Sequence, residues 1–184
     1  MPGASLFIVI AVCLGQITCA ELDPRLKRCP DGEFHNPGYS LSCTYTCKSG
    51  DSEDKTEYWG NYRDATVCVV LENGDPDKFK HIGTCQNGKC VQYEGENIDQ
   101  VWSQLPQLQD QFHRCPPLKK VHEEPVDNCL YICLEIDDPR GPGYFYGVYE
   151  DYHPCKFSNG IGRCRSGRCL DAAIVGPLPE ETEA

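Results

Sequence analysis

One spacing of cysteines occurs twice in this chain. The first copy reads Cys29-x13-Cys43-x3-Cys47-x20-Cys68-x16-Cys85-x4-Cys90, and the second Cys115-x13-Cys129-x3-Cys133-x21-Cys155-x8-Cys164-x4-Cys169. Four of the five gaps agree within one residue, and the fifth differs by eight. A pattern repeated at a fixed offset predicts two copies of one small stapled module, not a single enzyme-sized core.

The cysteine count fits an oxidising compartment. Leu6 to Leu14 is an apolar run too short to span a bilayer, and Thr18-Cys19-Ala20 supplies small residues suited to signal peptidase. Residues 1–20 are therefore expected to be a leader, and the mature protein to start at Glu21 and be soluble and secreted. Losing Cys13 and Cys19 with the leader takes 14 cysteines to 12, six per module. A module this small buries too little apolar surface to offset the entropy of ordering its backbone. Cross-links make up the deficit, at about 3 kcal/mol per medium-sized loop. Zinc, the rival use of closely spaced cysteines, prefers Cys-x2-Cys knuckles, whereas the short gaps here are x3 and x4. No metal or cofactor is expected.

The formal net charge is −11, spread along the chain and concentrated only at the tail. Nucleic acid and anionic membranes are disfavoured as partners, whereas a basic protein partner is favoured.

The duplication extends beyond cysteine. Cys29-Pro30 matches Cys115-Pro116, and Tyr45 falls over Tyr131 between the paired cysteines. Tyr58-Trp59-Gly60-Asn61-Tyr62-Arg63-Asp64 matches Phe145-Tyr146-Gly147-Val148-Tyr149-Glu150-Asp151. Gly83 and Gly88 around Cys85 match Gly162 and Gly167 around Cys164. Leu41 to Cys47 and Cys129 to Ile136 are rich in residues that favour strands. Asn87-Gly88, Ser166-Gly167 and Asn73-Gly74 read as tight turns. The expected boundaries are a first Cys-rich module over 21–94, a connector over 95–114, a second module over 115–171 and a disordered acidic tail over 172–184.

In the connector, Ile98, Val101, Trp102, Leu105, Leu108 and Phe112 recur at steps of three and four, which predicts an amphipathic helix with Asn97 or Asp99 as its cap. Pro106 would break or kink it unless a second turn starts there. The stripe either packs between the modules or presents Trp102 as an anchor for a partner.

No catalytic constellation is legible. His35, His81, His113, His122 and His153 occupy no matched positions and form no metal-ligand spacing. With every mature cysteine paired, no thiol nucleophile remains. The chain is expected not to be an enzyme and to take no small-molecule substrate. Surface is what remains. Trp59 and Tyr146, like Tyr62 and Tyr149, are matched rings and read first as core, whereas Tyr144 and Tyr152 are unmatched and better placed for binding. The candidate partner-binding residues are Trp102, Tyr144, Tyr152, Trp59 and Tyr146.

The run Leu41-Ser42-Cys43-Thr44-Tyr45-Thr46-Cys47, with Asn61-Tyr62-Arg63-Asp64-Ala65-Thr66 before Cys68 and Gly83-Thr84-Cys85-Gln86-Asn87-Gly88-Lys89-Cys90, resembles the 8.9 kDa family of tick salivary polypeptides. Module one is the closer match and module two a diverged copy. The resemblance implies a compact, mainly β, disulfide-rich fold akin to a von Willebrand type C module, repeated in tandem. It also implies a monomeric binding protein that neutralises a host defence protein, first a component of the terminal complement pathway. The spacing is similar, more weakly, to class A evasins, which scavenge chemokines and carry two further cysteines that neither module has. Spacing alone allows 15 pairings per module. The evasin resemblance implies Cys29–Cys47, Cys43–Cys90 and Cys68–Cys85, with Cys115–Cys133, Cys129–Cys169 and Cys155–Cys164. A protease inhibitor of host coagulation, presenting the Pro139-Arg140-Gly141 turn, and a salivary-cement protein are the remaining rivals.

Overall fold

Twelve cysteines bridged in six pairs hold together a small, mostly β protein. A computed structural model describes residues 22–118, 124–158 and 160–176. The expected leader, His122, and the acids Glu180, Glu181 and Glu183 of the tail lie outside the described residues.

The first half builds a two-stranded ribbon, β1 (Thr44–Lys48) with β2 (Glu57–Asn61), and a three-stranded sheet, β3 (Val67–Glu72), β4 (Asp75–Gln86) and β5 (Lys89–Val91), with β4 central. After the connector, whose only α-helical turn is α1 (Ile98–Val101), the plan recurs. The ribbon is β6 (Leu130–Glu135) with β7 (Gly143–Val148), and the sheet is β8 (Pro154–Phe157), β9 (Gly160–Arg165) and β10 (Arg168–Asp171), with β9 central. All these ladders are antiparallel. The tight turns fall where Gly and Asn or Ser allow left-handed backbone. Asn87 and Gly88 have φ 50° and 78°, and Ser166 and Gly167 have 48° and 79°.

Local bonds repeat with the strands. Tyr45 donates its hydroxyl to the Pro30 carbonyl, and Tyr131 to that of Pro116. Asp64 accepts from the Asn87 N–H at 2.9 Å, and Asp151 from the Ser166 N–H at 2.8 Å. Each carboxylate thus satisfies a turn amide that the ladder leaves unpaired.

The bridges are Cys29–Cys47, Cys43–Cys85 and Cys68–Cys90, then Cys115–Cys133, Cys129–Cys164 and Cys155–Cys169. The first of each set is the expected one. The other two are exchanged relative to the expected pairing: Cys43 joins Cys85, not Cys90, and Cys129 joins Cys164, not Cys169. The reason is the hairpin. Cys85 and Cys90 are direct partners across β4 and β5, so their side chains stand side by side. The sulfurs of Cys43, Cys68 and Cys90 lie within 4.8 Å of one another, so either pairing is within reach. Strand order decides. Cys85 on the central strand takes Cys43 from the neighbouring ribbon, and Cys68 on β3 reaches over β4 to Cys90 on β5. The crossing point is a glycine. Gly83 and Gly162 stand opposite Cys68 and Cys155, and a Cβ at Gly162 would lie 3.0 Å from the Cys169 sulfur.

The connector differs from the expected helix. After α1 come three single turns, Trp102–Gln104, Pro106–Leu108 and Asp110–Phe112. Leu105 is extended (φ −63°, ψ 133°), as a residue before proline prefers, and Gln109 is extended again (φ −64°, ψ 149°). Successive turns about four residues apart reproduce the apolar spacing of a helix without being one. Asn97 makes no side-chain cap; its Oδ1 accepts instead from the Tyr93 hydroxyl at 2.6 Å.

Leu105 and Leu108 enter a core shared by both halves, with Tyr39, Val69 and Ile82 from the first and Leu130, Ile132 and Tyr146 from the second. The connector is therefore interior packing, not a tether. The start of the expected disordered tail is also ordered. Ala172–Val175 form a helical turn, α2, capped by the Asp171 side chain, which accepts from Ala173 N–H at 2.8 Å, and Val175 is buried.

Candidate functional site

The five aromatic candidates do not converge. Trp59 is half-buried on β2; its indole N–H donates to the Asp23 carbonyl at 2.8 Å and Lys27 lies over its ring. Tyr146 is buried in the shared core, donates its hydroxyl to Leu108 at 3.0 Å and stacks on His113. Trp102 is half-buried against the same core, with the Arg168 guanidinium over its outer face and Arg168 paired with Asp99. Tyr152 sits in a left-handed turn (φ 69°), where the first half has Ala65 (φ 68°). Tyr144 borders a sizeable groove.

That groove runs between the halves. Its wider part encloses about 570 Å³ and its narrower part about 270 Å³, and Phe34, Asn36 and Pro37 line both. The loop bearing them is held across the junction, because the Tyr39 N–H donates to the Tyr144 carbonyl at 2.8 Å.

The narrower part is walled by rings. Phe34 meets Tyr62 edge to face at 5.4 Å, and Tyr62 stacks on Tyr45 at 5.3 Å. Tyr144 closes the other side, opposite Leu134 on β6. Leu41, on the lip, is 51% exposed.

The wider part carries Arg63, Arg114 and Arg140. Arg114 lies 4.2 Å over the Phe145 ring and bonds Asp138 at 2.6 Å. Arg140 reaches the same carboxylate through Nε at 3.2 Å, and its backbone N–H donates to it at 2.9 Å. The bonds from Arg140, then that from Arg114, hold the Asp138 carboxyl well below the usual carboxylate range. Arg63 pairs with Glu33 at the surface.

The Pro139-Arg140-Gly141 turn is therefore pinned from within. The Arg140 side chain lies back on Asp138, and Gly141 is left-handed at φ 106°.

Among the described residues, the groups of three His, Cys, Asp or Glu close enough to hold a metal ion are Cys43–Cys68–Cys90 and Cys129–Cys155–Cys169, and these sulfurs are bonded in disulfides. His81 contacts the Cys90 carbonyl at 3.2 Å, and His153 stacks on Tyr149. No described helix is long and apolar enough to cross a membrane.

Reading the sequence missed Phe34, Leu41, Arg63 and Arg114 as site residues. The signal that could have found Phe34 and Leu41 was two large apolar side chains in one loop between Cys29 and Cys43. Comparison with family models, with curated proteins and with solved structures found no match.

Proposed function

We propose that this chain is a secreted, non-enzymatic binding protein built from two tandem copies of one disulfide-rich module of the tick 8.9 kDa salivary type. It neutralises a host defence protein by covering a surface, with a terminal-pathway complement component as first target. The observation that carries the module reading is the recurrence of the same three bridges. Cα separations are 6.1, 5.4 and 5.9 Å in the first half and 6.0, 5.4 and 5.9 Å in the second. A body held by short covalent loops is pre-organised, so it loses little conformational freedom on docking. Because the connector packs as core, both halves present to one target at a fixed relation, as avidity requires.

The experiment is a haemolysis assay with the oxidised protein. Dose-dependent protection of the cells supports the complement reading, and unaffected lysis at micromolar protein rejects it. A chemokine panel run on the same sample tests the second reading, which the net charge of −11 favours for a basic ligand.

A further inference from the structure

We propose that the groove between the halves is the docking site, and that it takes an extended partner segment carrying a carboxylate beside a large apolar side chain. This rests on the binding-protein reading and names the surface and the chemistry that it would use.

The two parts of the groove select different groups. The wider part is rich in cations: in a chain of net charge −11, three guanidinium groups line one depression beside one lining carboxylate, Glu33. The Asp138 counter-charge of Arg140 and Arg114 lies behind them, whereas Glu33, the partner of Arg63, is 55% exposed and Glu135, near Arg114, 39%. The Asp138 side chain is 4% exposed, whereas those of Arg140 and Arg63 are 60% and 63% exposed. At Arg140, what meets solvent is thus guanidinium. Each fork has five N–H donors. Arg140 gives Nε and Nη2 to Asp138, and Arg63 gives Nη1 to Glu33, so neither pairing engages the whole fork. A carboxylate from outside can add to such a fork with two parallel bonds.

The narrower part has no charged residue in its lining. Phe34, Tyr62 and Tyr144 wall it, Leu41 at 51% exposure forms its apolar lip, and Leu134, 47% exposed, is the cross-strand partner of Tyr144. Rings held by packing and a backbone clamp are the usual anchors of a binding surface, because they bury large area with few torsions to fix. Phe34, Asn36 and Pro37 line both parts, so the two adjoin at that loop. An occupant therefore meets guanidinium and aromatic surface along one stretch of chain.

The test uses the full-length oxidised protein, immobilised and panned with a phage-displayed library of random linear peptides. Enriched sequences should pair Asp or Glu with Phe, Tyr, Trp or Leu at a fixed spacing. The synthetic form of the best peptide should bind at least tenfold more weakly to Arg140→Glu, to Arg63→Glu and to Leu41→Asp, and more weakly in high salt. Ile174→Ala, 77% exposed on α2, should leave binding unchanged. Arg63 and Leu41 are exposed, so these variants keep the test valid if Arg140→Glu disturbs its own loop. No enrichment, enriched peptides without an acid, or equal binding to all three groove variants overturns the proposal. The haemolysis result stands apart from it. Lysis blocked equally by wild type and groove variants moves the target to another face, and peptides captured by a protein that leaves lysis untouched keep the groove and change the target.

Discussion

Tyr39 and Tyr146, one from each half, donate their hydroxyls to the carbonyls of consecutive connector residues, Gln107 and Leu108. Both rings are buried, at 1% and 6% exposure, in the core that Leu105 and Leu108 complete. Two phenols thus satisfy connector carbonyls that successive short turns leave without helical partners. The two halves are joined through this pair of bonds and the leucines between them.

Removing either hydroxyl should loosen that joint. Tyr39→Phe strands the Gln107 carbonyl in an apolar setting and should cost about 1–3 kcal/mol. Urea titration of the oxidised protein reads it as a lower midpoint with an unchanged slope. Tyr146→Phe should behave alike, and the double variant should be non-additive because both act on one joint. A midpoint unchanged in Tyr39→Phe contradicts the role assigned to it.

Alkaline pH should do the same reversibly. Burial pushes the Tyr39 phenol far above its ordinary value of 10.0, and burial with nearby Asp110 raises Tyr146. A group whose folded pKa lies above its unfolded one stabilises fully below the unfolded value and loses that contribution as pH rises beyond it. The contribution of these phenols should therefore be flat below pH 10 and fall above it. Tyr39→Phe should flatten the fall, as measured by urea midpoints on brief exposure, and an equally steep fall in that variant would refute the assignment.

At the acid end the sign reverses. Asp138 is held below its ordinary 3.8 by Arg140 first and Arg114 second. Its hold on the loop between β6 and β7 is present above that value and is lost only as pH falls through the lower folded pKa. Amide exchange at Arg140, whose N–H donates to Asp138, should stay protected at pH 4 and open below it. Loss of protection already at pH 5, or none on going to Asp138→Asn, would contradict this.

Close approach at a matched glycine gives a packing test. A Cβ at Gly147 would sit 2.7 Å from the Cys115 Cβ, and one at Gly60 2.7 Å from the Cys29 Cβ. Gly147→Ala and Gly60→Ala should each cost about 1–3 kcal/mol by overpacking, read as thermal midpoints. Values within experimental error of wild type would show that the segments bearing Cys29 and Cys115 yield freely.

Much of this architecture is written locally. Asn87-Gly88 and Ser166-Gly167 announce their hairpins because few residues accept left-handed backbone. Cys29–Cys47 and Cys115–Cys133 could be placed by resemblance. The other bridges could not, because Cys85 and Cys90 are cross-strand neighbours and each faces the same pair of partners. Turns of three residues imitate helical spacing, so the connector misled. Tyr39 looks like a loop residue, since what buries it is a carbonyl 68 positions away. The groove left almost no trace: Phe34, Arg63, Arg114 and Tyr144 come from four segments that only the fold assembles.

Peptide mapping of the unreduced protein tests the central claim, two equivalent stapled halves, most directly. Trypsin cuts after Lys89, separating Cys85 from Cys90, and after Arg165 and Arg168, separating Cys164 from Cys169. Linked peptides joining Cys43 to Cys85, Cys68 to Cys90, Cys129 to Cys164 and Cys155 to Cys169 are predicted. Linkage of Cys43 to Cys90, a free thiol among the twelve, or any bridge from one half to the other would contradict it.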